Sequence, residues 1–325
     1  MIPSGDEKAV SDLEYAAARD GAAIFRLSER GLLAVSGPVR QKFLNGILTN
    51  DVARLWASQG CRAALLDTKG HVLALVRVLA TETAVVLETD LVRRELLEER
   101  LAHYRVAAPV RFAADPKIVL GLLGAQAGAT LGRLGLPAPE EAEAHVAARL
   151  GEQKLRVVRA QDLPGGGYVL HVPEETAARL WPALLEAGAA PLGRRTLDTL
   201  RIEDGRPFWG ADVSEDNLLH ETGLVAELHS PTKGCYVGQE IVARLSARGE
   251  KVNKALRGLE LGAEAAAGTE IRAEGRSVGQ VTTAGRSPRR GAIALGYVAR
   301  SHFEPGSAVE VGGSRAVVRA LPFEG

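Results

Sequence analysis

Cysteine is scarce in this chain. Its 325 residues include two, Cys61 and Cys235, far apart and in no CxxC pair. That excludes a disulfide framework and a self-contained zinc site. Two thiols also make a poor permanent iron–sulfur cage, which normally takes four. No metal site is therefore expected. Excess charge is missing as well: 40 Lys and Arg balance 40 Asp and Glu. A dedicated nucleic-acid binder would be strongly basic, so that class is disfavoured, although a local basic patch is not excluded. No apolar run reaches membrane-spanning length. The start of the chain, Gly5-Asp6-Glu7-Lys8, has no signal-peptide apolar core. The expectation is a soluble cytoplasmic protein of two domains or a few subdomains, long enough to bury a sizeable core.

What stands out is Lys233-Gly234-Cys235-Tyr236-Val237-Gly238-Gln239-Glu240. Two glycines flank a thiol, a cation sits two residues before it, and a helical run follows from Gln239 to Ala247 with Ile241, Val242 and Leu245 on one face. Glycine permits close backbone approach and positive φ. A thiol beside Lys233 near a helix start can gain thiolate character. The plainer reading is a tight loop with a small buried thiol.

The chain alternates short strands and helices up to about residue 248. Residues 6–20 read as a helix, 22–27 and 32–36 as strands, and 38–46 as a helix, with a second short helix starting at Ile47 and capped by Thr49 or Asn50. Strands at 61–67, 71–79 and 84–88 precede a helix from Asp90 to His103 and a strand at 110–113. Cys61 opens a buried-looking strand and reads as core. Ile118–Gly124 followed by a helix at 126–134 repeats the earlier strand–glycine–helix pattern, which implies an internally duplicated α+β region. Residues 135–142 read as a loop. Strands at 154–160 and 168–172 and helices at 174–187 and 194–203 complete it. From residue 249 the texture changes to short strands and turns, as in a small antiparallel β-barrel. The expected division is 1–248 and 249–325.

Lys233–Glu240, continued by Ile241-Val242-Ala243-Arg244, resembles the signature of the YgfZ family. These are folate-binding proteins related to the glycine-cleavage aminomethyltransferase (T-protein) and implicated in assembly or repair of iron–sulfur proteins. Residues 33–52 resemble the family's opening motif, Leu200–Gly205 with Trp209–Asp212 and Glu221–Leu224 the pattern shared with T-protein, and 278–298 the T-protein barrel. The resemblance covers nearly the whole chain. It implies tetrahydrofolate as cofactor. Arg201 stands where the transferases' arginine contacts folate, a role that suits a guanidinium facing glutamyl carboxylates. An ion pair with Glu203, Asp204 or Glu221 would explain Arg201 equally. Glu221, Asn50, Tyr236, Gln239, Glu240 and Arg244 are further candidates for the folate site, with Cys235 and Lys233 as its reactive pair and Gly234 and Gly238 setting loop geometry. Turn and capping roles account for Asn50 without a ligand. Trp209 either stacks on the pterin or fills the core.

One departure from the transferases matters. Those enzymes carry an aspartate on the strand after a glycine turn, where a carboxylate steers protons and stabilises a developing cation. Here the matching place is Ala74 or Leu75, and the stretch 73–78 holds no acid. The loop that supplies a pterin-holding glutamate in the relatives corresponds to Gly165–Val172, with only Asp162 nearby. With that departure, the resemblance implies a folate-binding accessory factor for iron–sulfur proteins acting through Cys235. A folate-dependent aminomethyltransferase or demethylase is the alternative.

Overall fold

The computed structural model describes residues 10–247, 249 and 251–323. The first part of the chain is an α+β body. It opens with α1 (Asp12–Asp20), capped by the Ser11 hydroxyl, and β1 (Ala22–Arg26). Then follow β2 (Arg30–Ser36), α2 (Arg40–Asn45), β3 (Gly60–Leu66), β4 (Val72–Ala80), β5 (Ala84–Asp90), α3 (Leu91–Arg105) and β6 (Arg111–Asp115). The same succession of strand, helix, three strands, helix and strand recurs as β7 (Ile118–Leu123), α4 (Ala127–Arg133), β8 (His145–Leu150), β9 (Gln153–Ala160), β10 (Gly167–Val172), α5 (Glu174–Glu186) and β11 (Ala189–Pro191).

Strand order makes the duplication explicit. One sheet runs β3-β4-β5-β2-β6 and the other β8-β9-β10-β7-β1-β11. The orders correspond strand for strand, except that β1 lies between β7 and β11 where the first sheet has β2 directly beside β6.

The sheets share one apolar layer. Leu32, Leu79 and Val86 of the first cluster with Phe25, Val119, Val158 and Val169 of the second. Helices cover the outer faces: Leu44, Leu97 and Leu101 pack on the first sheet, and Leu131, Leu180 and Leu184 on the second. With both faces covered, β4 is buried along its whole length, and it reads as an apolar run broken only by Arg77.

After α6 (Arg194–Glu203), a 3₁₀ turn (Leu219–Thr222), α7 (Val225–Leu228) and α8 (Gln239–Ala247) comes the barrel. Its strands are β12 (Lys254–Leu261), β13 (Glu270–Ala273), β14 (Arg276–Ser287), β15 (Gly291–Ala299), β16 (Ala308–Val311) and β17 (Ser314–Arg319). They close antiparallel in the order β12-β15-β14-β13-β16-β17 around Leu259, Ile271, Val281 and Val298. No helix among the described residues is long and apolar enough to cross a membrane.

Three local readings are corrected. No helix forms at Ile47–Val52: Leu48 bridges to Leu65, and the Thr49 hydroxyl accepts the Ala64 N–H and donates to the Leu228 carbonyl, so these residues join strands instead of capping a helix. Strand β8, beyond the 135–142 loop, and the short β11 were missed. β8 is an edge strand whose residues after His145 are mostly exposed or half-buried, and β11 has three residues, too few for a periodic signal. Residues 6–9 of the predicted first helix, and Arg248 at the predicted boundary, lie outside the described residues.

Candidate functional site

The Lys233–Glu240 loop leads into α8, and both are seated on the β3–β4 hairpin. Gly238 has φ +81°, and a Cβ there would lie 2.5 Å from the Asp67 carbonyl oxygen. Gly70, in the hairpin turn, has φ +82°, and its Cβ would lie 2.9 Å from Ile241. Each glycine thus admits the other segment. Asp67 fixes the turn, its Oδ1 accepting the Lys69 and His71 N–H groups at 2.8 Å and its Oδ2 lying 3.1 Å from His71 Nδ1. Gly234 differs from the expectation for it. It has no left-handed φ, and a Cβ there would meet nothing within 4 Å, so no close packing requires it.

A second seam joins residues 45–50 to residues 227–236. Lys233 Nζ donates to the carbonyls of Asn45, at 2.6 Å, and of Leu48, and sits 4.7 Å from the Tyr236 ring centre. Ser230 donates its N–H to the Thr49 carbonyl at 3.2 Å. Asn50 Nδ2 donates to the carbonyls of Arg62, at 2.8 Å, and Glu227, at 3.3 Å, while its Oδ1 accepts the Asp51 N–H. Arg62 and Arg206 clamp the two oxygens of Glu227 at 2.5 and 2.6 Å. Burial pushes the Lys233 ammonium down to about 8. Its charge is felt at Cys61, whose partly buried thiol is pushed up to about 12 by desolvation. Cys61 is a core thiol, whereas Cys235 is exposed.

Tyr236 faces inward, against Leu75, Val213, Leu219 and Val242. Its hydroxyl is buried without a hydrogen-bond partner among the described residues, and burial pushes it up to about 12. The two residues that the resemblance matches to the transferases' aspartate lie in different core clusters. Ala74 points away, into the core beneath α3, and Leu75 points toward Tyr236.

Further along the same face of β4, Arg77 anchors a buried ionic lattice that the sequence did not disclose. It donates to Glu88 and Glu143 at 2.6 Å and to Asp162. His171 Nε2 lies 2.8 Å from the other Glu88 oxygen, and Arg30 lies 3.6 Å from Asp162. Burial alone would raise Glu88, but Arg77 and His171 hold it at about 2. Asp162 is likewise lowered by Arg77, Arg62 and Arg30 against its burial. Glu88 and Asp162 are therefore held in the ionised form, unsuited to proton transfer near neutral pH. Charged residues at 62, 77 and 88 inside otherwise apolar strands were the available sign.

The other candidates are dispersed around this centre. Arg201 is buried, with its guanidinium on Asp198 (2.6 Å), Asp212 and Thr283 (2.9 Å) and over the Phe208 ring at 4.8 Å. Its acidic partners are thus Asp198 and Asp212, not Glu203, Asp204 or Glu221. It also borders a cavity of about 540 Å³ with Arg194, Gln280 and Thr282. Glu221 is buried, accepts the Leu218 N–H at 3.2 Å and lies 3.9 Å from Lys254; burial raises its pKa. Gln239 Oε1 accepts the Tyr236 N–H at 3.1 Å and so braces the loop. Glu240 and Arg244 stand exposed on α8. Trp209 is half-buried, with the Arg93 guanidinium 4.8 Å from its ring.

A duplicated α+β body with a closed barrel behind it, and a loop–helix motif seated on the first repeat's hairpin, define a protein of the glycine-cleavage T-protein class. Residues 5–229 match the GCVT N-terminal domain, and residues 254–323 match the glycine cleavage T-protein C-terminal barrel domain. The chain belongs to this family. An aminomethyltransferase of Rubrobacter xylanophilus is 31% identical over 88% of this chain and 78% of its own length. A probable aminomethyltransferase of Natronomonas pharaonis is 31% identical over 95% and 89%. A putative chloroplastic transferase of Arabidopsis thaliana is 25% identical over 94% and 72%. The crystal structure of the glycine cleavage system aminomethyltransferase T from Bartonella henselae shares the fold, with a TM-score of 0.88 at 24% identity over 99% of this chain and 91% of that one.

Proposed function

We propose that this protein binds tetrahydrofolate and acts in folate-dependent one-carbon transfer of the aminomethyltransferase kind. Supporting this are the near full-length similarity to proteins named aminomethyltransferase and one structural observation. Leu75, Val213, Leu219 and Tyr236 belong to one buried apolar cluster, and the Tyr236 hydroxyl in it has no partner among the described residues. Such a cluster suits a flat heterocycle that supplies one polar atom, since an orphan buried hydroxyl is costly without a ligand. Arg62 and Arg206, drawn together on Glu227, are candidate cations for a glutamyl tail. Bound tetrahydrofolate would supply the one-carbon acceptor. The chain's own residues would orient it and exclude water.

A second reading is favoured by a different observation. The place matched to the transferase acid falls on Ala74 or Leu75, Glu88 and Asp162 are held in ion pairs, and an exposed Cys235 stands on a loop similar to the YgfZ signature. On this reading folate binding serves an accessory role toward iron–sulfur apo-proteins, with Cys235 as the acting group.

One experiment separates them. Purified protein is given tetrahydrofolate and an aminomethyl-loaded lipoyl carrier protein, and methylene-tetrahydrofolate and ammonia are followed. Sustained turnover supports the transferase. Saturable folate binding without turnover, joined to loss of cellular iron–sulfur enzyme activity in Cys235→Ala, supports the accessory role. Absence of folate binding overturns both.

A further inference from the structure

On the second repeat, away from the Cys235 loop, a cavity of about 380 Å³ opens between α1, α4 and the turn before β10. Most of its lining is small: Gly124, Ala125, Gly128, Ala129, Gly165 and Gly166. Three polar side chains enter it, Arg19, Arg159 and Tyr168. Arg19 is already neutralised by Glu203 and by Asp204 at 3.0 Å. Arg159 is not. Its NH1 donates to the Gly167 carbonyl at 3.1 Å and its guanidinium lies 5.2 Å from the Tyr168 ring centre, but no carboxylate pairs with it among the described residues.

Tyr168 is 7% exposed, yet its hydroxyl makes no hydrogen bond among the described residues. That hydroxyl reaches the cavity wall at Gly128, where an added Cβ would lie 3.1 Å from it. An added Cβ at Gly166 would lie 3.4 Å from Arg159 NH2. The glycines therefore leave open the two approaches that a ligand of these groups would use. An uncompensated guanidinium beside a phenolic donor is a recognition pair for an oxyanion.

We propose that this cavity binds a small molecule bearing a carboxylate or phosphate group, held by Arg159 and Tyr168, at a place that shares no lining residue with the Tyr236 cluster to which folate is assigned above. Its volume admits an oxyanion with a short carbon frame, within the range of small-ligand pockets.

The test is calorimetric titration of the full-length protein with two probes, inorganic phosphate and glutarate. The expected result is saturable binding of at least one probe with Kd below about 1 mM. The probe that binds identifies the source of the oxyanion. Affinity should fall at least tenfold in Tyr168→Phe, which removes one oxygen, and in Gly128→Ala, which crowds it, with near-ultraviolet circular dichroism unchanged. Arg159→Gln should abolish binding. The proposal is overturned if neither probe binds, if Tyr168→Phe and Arg159→Gln bind as well as the wild type, or if tetrahydrofolate displaces the probe. Failure of the probes does not bear on folate binding, which is measured with tetrahydrofolate itself.

Discussion

Gly238 and Asp67 meet backbone to backbone: a Cβ at Gly238 would lie 2.5 Å from the Asp67 carbonyl oxygen. Through this contact a loop late in the chain is locked onto the first repeat's β-hairpin, and α8 is set over Gly70.

Gly238→Ala should therefore cost about 2 kcal/mol or more, since it combines φ strain with a backbone clash. Gly234→Ala, in open space, should stay within about 0.5 kcal/mol. Urea unfolding of the two variants checks the contrast; equal effects would show that the loop is not seated as described.

The two thiols should react very differently. With iodoacetamide at pH 8, exposed Cys235 should be alkylated first. Cys61, whose thiol is pushed up to about 12 by burial, should react only after unfolding. Mass spectrometry of the time course reads one adduct before two. Simultaneous modification would contradict the placement of Cys61.

The buried lattice predicts non-additive losses. Arg77→Ala should destabilise by about 3–5 kcal/mol, because it strands Glu88, Glu143 and Asp162 without their shared cation. Adding Glu88→Gln should cost less than its effect alone, or partly restore stability. Strict additivity in a double-mutant cycle would exclude the shared lattice.

His145 should impose an acid limb on stability. It is buried with its Nδ1 2.6 Å from Arg156 NH1, and desolvation and then Arg156 lower it to about 4. Its unfolded value is about 6.5. Between these values the unfolded chain binds the extra proton, so stability rises with pH there and is lost as pH falls from about 6.5 to 4, by on the order of 3 kcal/mol at most. His145→Gln should flatten this limb in chemical denaturation between pH 7 and 4.

The fold was largely legible. The period and punctuation of residues 22–36, 194–203 and 239–247 place elements within a residue or two of where they form, and the strand–glycine–helix echo at 118–134 marks the duplication. What was not legible depends on residues distant in sequence. Arg77 and Glu88 meet across the β4–β5 ladder, while Glu143 and Asp162, in turns far along the chain, reach them only once the second repeat packs on the first. Arg201 carried a chemical expectation, but its acidic partners, Asp198 and Asp212, were not those nearest in the reading. Asn50 looked like a cap and instead ties two carbonyls across the chain. Tyr168 read as a strand residue; its unpaired hydroxyl emerges only once α4 packs beside it.

The place of β1 in the second sheet has a consequence for synthesis. Ala22 pairs with Ala189, and Ala23 with Leu123, so the earliest strand waits for partners made much later. The first sheet needs nothing beyond Asp115 and can close while the ribosome is still at work. Until Ala189 emerges, the nascent chain carries a finished half joined to an open strand edge, the kind of surface that chaperones and neighbouring chains recognise.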